Sequence, residues 1–127
     1  MKRVINSSKA AAPAGAYSQG IAHGNIIFTA GQIAKTADGT SHLSDPIRIQ
    51  TQVCIENIKH ILSEEGLDLS NVLKTTVFLE NIDDFAEMNA VWDEWATGGN
   101  APTRACVESP RLATSAFTVE IGIIAAL

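Results

Sequence analysis

Twelve residues at the C-terminal end, Ala116–Leu127, constrain the fold more than any other stretch. They are almost wholly apolar and carry one charge, Glu120. A membrane helix needs roughly 18–20 apolar residues, so a run of this length reads as a buried strand. A lone carboxylate inside such a strand is costly to bury unpaired. Just upstream lies Pro102–Glu108, P-T-R-A-C-V-E. In an extended chain Arg104, Cys106 and Glu108 share one side, and Thr103, Ala105 and Val107 the other. Ala105 and Val107 make a plausible core face. If the two strands pair as a hairpin through the turn at Ser109–Ser115, Arg104 is the cation nearest Glu120. A fixed guanidinium and a carboxylate in an apolar cleft point to a small-molecule site for a carboxylate-bearing substrate. The structural alternative is an ion pair of Arg104 with Glu120 or Glu108 that locks the hairpin.

The length of 127 residues suits one domain spanning 1–127. With 46% hydrophobic and 18% charged residues the chain is of the folded class, not the disordered one. The net charge is −5, and only Lys2 and Arg3 are adjacent among the basic residues. That balance disfavours electrostatic capture of nucleic acid. No signal peptide or membrane span is expected. Cys54 and Cys106 lie far apart with no paired spacing, which fits a reducing cytoplasm. The histidines His23, His42 and His60 are isolated, so no metal is expected.

Periodicity divides the remainder. Arg3–Asn6 reads as a short strand, and Ser7–Gly20 as an irregular stretch holding Tyr17, the single tyrosine. Ile21–Gln32 reads as a hairpin turning at His23-Gly24-Asn25. Gly31, in its second arm, marks a bulge, tight packing, or a close approach to another backbone or a ligand. Asp45 and Pro46 open a helix with an apolar stripe of Ile47, Val53, Cys54, Ile58, Ile61 and Leu62, stopped by Gly66. Asn71–Glu80 alternates as a strand, with Leu73, Thr75, Val77 and Leu79 on one side and Val72, Lys74, Thr76 and Phe78 on the other. A second helix opens at Asn81 or Asp83 and runs to about Ala96, with Phe85, Met88, Trp92 and Trp95 on a core face. Gly98-Gly99-Asn100 closes it. The expected fold is α+β: a single mixed sheet of about six strands with two helices on one face. Thr76, Phe78, Cys106 and Gly122 would then line the other face. That mixture favours burial against another copy of the chain.

Six segments in order carry a resemblance: Ala14–Gln19 (A-G-A-Y-S-Q), Thr29–Ile33 (T-A-G-Q-I), Lys74–Leu79 (K-T-T-V-F-L), Asp84–Asn89 (D-F-A-E-M-N), Pro102–Glu108 and Val119–Ile121 (V-E-I). On these the chain resembles the RidA/YjgF family of reactive-intermediate deaminases over essentially its full length. The resemblance implies a chorismate-mutase-like sheet assembled as a barrel-like homotrimer with clefts between subunits. It also implies hydrolysis of 2-enamine and 2-imino acids, such as 2-iminobutanoate and 2-iminopropanoate, to 2-oxo acids and ammonia. Carried over by motif, Arg104 grips the substrate carboxylate and Cys106 lines the pocket. The Gly31 backbone approaches the substrate, Tyr17 borders it, and Glu120 positions water. Asn89 matches a recurrent family position that reads as structural. Ala16 and Thr103 depart from residues common in the family, which bears on substrate preference more than on reaction class.

The chemistry is consistent with those roles. A planar guanidinium binds a carboxylate through two hydrogen bonds. A carboxyl whose pKa is raised by apolar surroundings can accept and return a proton. No cofactor is required, because a protonated imine is already electrophilic. Cys106 has no histidine in a recognisable motif and reads as a pocket wall, not a nucleophile. The competing classes are a weak endoribonuclease or translation inhibitor, a 2-oxo-acid-binding or chaperone-like trimer without turnover, and a 2-aminomuconate-type deaminase.

Overall fold

The computed structural model describes residues 1–96, 99–114 and 116–127. Six strands and two α-helices form: β1 (Lys2–Ile5), β2 (Gly20–His23), β3 (Ile26–Thr29), α1 (Ile47–Ser63), β4 (Val72–Leu79), α2 (Phe85–Trp95), β5 (Thr103–Glu108) and β6 (Val119–Ala126). They build one mixed sheet in the order β1-β2-β3-β6-β4-β5, with the helices packed on one face, so the fold is α+β. No helix among the described residues is long and apolar enough to cross a membrane.

The apolar C-terminal run explains this order. β6 lies inside the sheet, antiparallel to both β3 and β4. Its Val119, Ile121, Ile123 and Ala125 are buried under the helices, against Ile58, Ile61, Leu62 and Met88. Each isoleucine so buried contributes roughly 1.5–3 kcal/mol. The alternate residues Glu120, Gly122, Ile124 and Ala126 look out from the opposite, uncovered face and are only half-buried.

The hairpin expected between β5 and β6 does not form. β4 lies between them: β5 pairs in parallel with β4, and β6 pairs antiparallel with β4's other edge. A parallel pair needs a crossover of about a dozen residues or more, and α2 supplies it. The short connection after β5 therefore steps over β4 instead of turning back on its own strand. Ser115 in that connection, and Gly98 in the expected helix closure, lie outside the described residues.

Two face assignments change as well. In β4 a register irregularity between Val72 and Lys74 breaks the simple alternation. Val72 is buried and Leu73 exposed, the reverse of the periodic reading, while Thr75, Val77 and Leu79 do face the core. In β5, Arg104 stands beside Thr75 and Cys106 beside Val77, so both face the helix layer. Ala105 and Val107 instead stand beside Thr76 and Phe78 on the uncovered face. Ala105 and Val107 are therefore not the core face, and Cys106 does not line the uncovered one.

Local signals set the helix ends only in part. Pro46 precedes α1, but the Asp45 carboxylate makes no cap and instead meets His42 Nδ1 at 2.7 Å. Gly66 takes φ +71°, as a helix stop should, and the Leu67 N–H donates to the Leu62 carbonyl. Asn81 caps a single 3₁₀ turn, Ile82–Asp84, by accepting from the Asp83 N–H at 2.9 Å, and α2 follows directly.

Candidate functional site

Glu120 and Gly31 form one half of the candidate site. After β3 the chain stays zipped to β6: Gln32 N–H donates to the Ile121 carbonyl at 2.7 Å, and Ile121 N–H donates back at 3.0 Å. The zipper lays Gly31 directly against the Glu120 side chain. A Cβ at Gly31 would sit 2.5 Å from Glu120 Oε2 and 2.8 Å from its Cγ. Gly31 therefore serves as a close-approach glycine, and the approach is to a carboxylate. Glu120 borders a cavity of about 230 Å³ on the uncovered face, walled by Phe28, Thr76, Phe78 and Gly122. Burial pushes its carboxyl above the ordinary carboxylate value.

Tyr17 lies on the other side of Gly31. It borders a second cavity of about 200 Å³ that Gly31 also lines, together with Pro13, Gln32, Lys35 and Phe117. The Tyr17 hydroxyl accepts from the Ala14 N–H at 3.2 Å, and 55% of the residue is exposed. The preceding irregular stretch is fastened by Gln19, which the sequence reading left without a role. Its buried amide accepts from Ser7 N–H at 2.6 Å and donates to the Ala11 carbonyl at 2.8 Å. Gln50 does the same for the segment before β6. It accepts from Thr118 N–H at 3.0 Å and donates to the carbonyls of Leu43 and Asp45. For Gln50 the available signal was a polar residue on the buried stripe of α1; Gln19, in an irregular stretch, gave no periodic signal.

Arg104 and Cys106 form a separate group on the helix side of β5. Arg104 Nη1 donates to Asn89 Oδ1 at 2.7 Å. Its guanidinium carbon lies 4.7 Å from the Trp92 ring centroid and 5.3 Å from that of Phe85. The ion pairs of the structural alternative do not form among the described residues. Arg104 takes part in none of the salt bridges among the described residues, and Glu108 instead accepts the Ile82 N–H at 3.0 Å. An arginine held by an amide oxygen and two rings keeps most of its five donors for an outside anion. Burial raises the Cys106 thiol above its ordinary pKa, and the Arg104 charge offsets this only in part. That favours the neutral thiol and disfavours a nucleophilic role. The other thiol, Cys54, is wholly buried in the core.

Within one chain, then, Glu120, Gly31 and Tyr17 gather around two neighbouring hollows, and Arg104 and Cys106 gather elsewhere. Arg104 and Glu120 are on opposite faces of the sheet with β4 between them. Among the described residues no group of three or more histidine, cysteine or acidic side chains comes together in a way that could hold a metal ion.

Comparison with known proteins bears on what such an arrangement does. The family described as endoribonuclease L-PSP matches residues 7–127. A RutC family protein of Pyrococcus abyssi is 46% identical over 111 residues, 87% of each chain. The 2-iminobutanoate/2-iminopropanoate deaminase of Escherichia coli K12 is 37% identical over 114 residues, 88% of each chain. The crystal structure of E. coli TdcF with bound serine superposes with a TM-score of 0.89 at 32% identity, over 98% of both chains.

Proposed function

The chain belongs to the endoribonuclease L-PSP family, and from that premise we propose that it hydrolyses short 2-imino acids to 2-oxo acids and ammonia. 2-Iminobutanoate and 2-iminopropanoate are the substrates this reading names, and the deaminase relative supports them. The serine bound to TdcF supports a small ligand carrying a carboxylate beside nitrogen. The observation that carries the reading is Arg104: a half-buried guanidinium, held in place, that joins no salt bridge among the described residues. Such a group is built to receive a carboxylate.

In this reading the working unit is a homotrimer with its clefts between copies. Arg104 and Cys106 come from one subunit, and Glu120, Gly31 and Tyr17 from the next. The face around Glu120 is uncovered and carries large apolar side chains, with Phe28 and Val107 each 45% exposed, which supports burial against a neighbour. Arg104 grips the substrate carboxylate through two hydrogen bonds and fixes the imine carbon beside Glu120. Glu120, as carboxylate, takes a proton from water while the oxygen adds to the C=N carbon. With the imine entering protonated, Glu120 returns that proton to the nitrogen of the resulting carbinolamine; the C–N bond breaks as the hydroxyl proton passes to Glu120 and on to the departing ammonia, leaving the 2-oxo acid. The raised Glu120 pKa supports this exchange, because a stronger base accepts more readily.

The test generates the imine in situ with a threonine dehydratase and traps it with semicarbazide. Wild-type protein lowers semicarbazone formation, and Arg104→Ala does not. If neither protein lowers it, the deaminase reading fails. RNA cleavage that survives repurification and disappears with Arg104→Ala would replace it with the endoribonuclease reading.

A further inference from the structure

We propose that Phe85 and Trp92 are positioning residues that hold Arg104 edge-on to its anion, an inference resting on the reading that Arg104 grips a substrate carboxylate. Phe85, Asn89 and Trp92 fall at i, i+4 and i+7 and so form one stripe along α2. Phe85 and Trp92 are separated by about 10.5 Å of helix rise. The guanidinium carbon lies 5.3 Å from one ring and 4.7 Å from the other, so it fills the gap between them. Asn89, between the two, takes one donor at 2.7 Å. Trp92 is in turn braced edge-on by Trp95, with ring centroids 4.5 Å apart.

The arrangement does more than pack. A guanidinium is poorly hydrated above and below its plane and strongly hydrogen-bonding at its rim. Rings this close to the guanidinium carbon shield its weakly hydrated surface and leave the donors that Asn89 does not take for a ligand. A planar carboxylate approaching in that plane makes two parallel hydrogen bonds. Holding the long arginine side chain before the ligand arrives also removes an ordering cost at binding. An acidic partner would have held Arg104 equally still, but it would have neutralised the charge and competed for the donors. Aromatic rings hold the cation without that competition.

The experiment reads anion binding directly, without turnover. Trp92 and Trp95 are the only tryptophans, so titration with 2-oxobutanoate is followed by their emission and, in variants, by calorimetry. Wild type shows a saturable emission change, and Arg104→Ala loses binding. Phe85→Leu and Trp92→Leu weaken binding about 3- to 30-fold and raise KM more than they lower kcat, with unchanged circular dichroism; Trp92→Tyr restores most of the loss. Trp92 is largely buried, so if Trp92→Leu fails to fold, Phe85→Leu decides, since Phe85 is 36% exposed. Wild-type affinity in the folded leucine variants, with Arg104→Ala defective, overturns the positioning role alone. Wild-type affinity in Arg104→Ala overturns the anchor reading beneath it.

Discussion

The contact between Gly31 and Glu120 makes the strongest single-residue claims. Alanine at Gly31 would put its Cβ inside the Glu120 carboxylate, which must swing away. The obstructing group is a side chain on an uncovered face, so the fold accommodates the change while the carboxylate loses its place. Gly31→Ala is therefore expected to keep its circular dichroism and to lose about 100-fold in deamination rate, the scale of a 1 Å misplacement. Glu120 also leaves a signature in stability. Its folded pKa is raised by burial above the ordinary value of 4.5. Its contribution is therefore fully present below that ordinary value and is lost as pH rises through the folded one. Glu120→Gln, which has no charge to desolvate, should melt at a higher temperature than wild type at pH 7, with the gap closing near about pH 4. A gap that is absent at pH 7, or that widens on acidification, would show that the carboxylate is not strained by burial. The same variant should slow turnover more than it weakens 2-oxobutanoate binding.

At the scale of elements, what the sequence revealed and what it hid have different causes. The apolar stripe of α1 and the buried character of β6 were legible because periodicity reports burial directly. The helix stop at Gly66 was legible because φ +71° is a conformation that only glycine adopts freely. Gly66→Ala should lower stability by about 1 kcal/mol, read as a lower denaturant midpoint at unchanged slope. The pairing of β5 was not legible. A short connection between two strands looks the same whether they pair directly or straddle a third, and only the α2 crossover distinguishes the cases. The reversed face of Arg104 follows from that error. Placed beside β6, Arg104 had Glu120 as its natural partner; placed on the outer side of β4, it meets α2 and finds Phe85, Asn89 and Trp92. Those aromatics were read as core, and Trp92 is buried, yet the spacing of Phe85, Asn89 and Trp92 was in the sequence throughout. What was missing was the strand that lies over them.

The whole molecule returns to the two groups that one chain cannot bring together. One row of side chains, Val4, Ile21, Phe28, Ile124, Lys74 and Thr103, crosses the uncovered face from edge to edge, and four of the six are large and apolar. A second copy covering that face would remove this surface from water. It would also bring the β5 edge of one subunit toward the Glu120 cavity of another. If each cleft takes Arg104 from one copy and Glu120 from its neighbour, two impaired variants should repair one another. Arg104→Ala subunits supply intact Glu120, and Glu120→Gln subunits supply intact Arg104. In a cyclic trimer containing both kinds, whatever the ratio, one cleft in three is complete. Random assembly from equal amounts makes about three quarters of the trimers mixed, so about a quarter of wild-type activity should return after the variants are unfolded and refolded together. Refolding each alone should restore none. If the mixture also regains nothing while its mass in solution is three times the 13.5 kDa chain, the site is not shared in this way. Arg104 and Glu120 would then belong to different tasks.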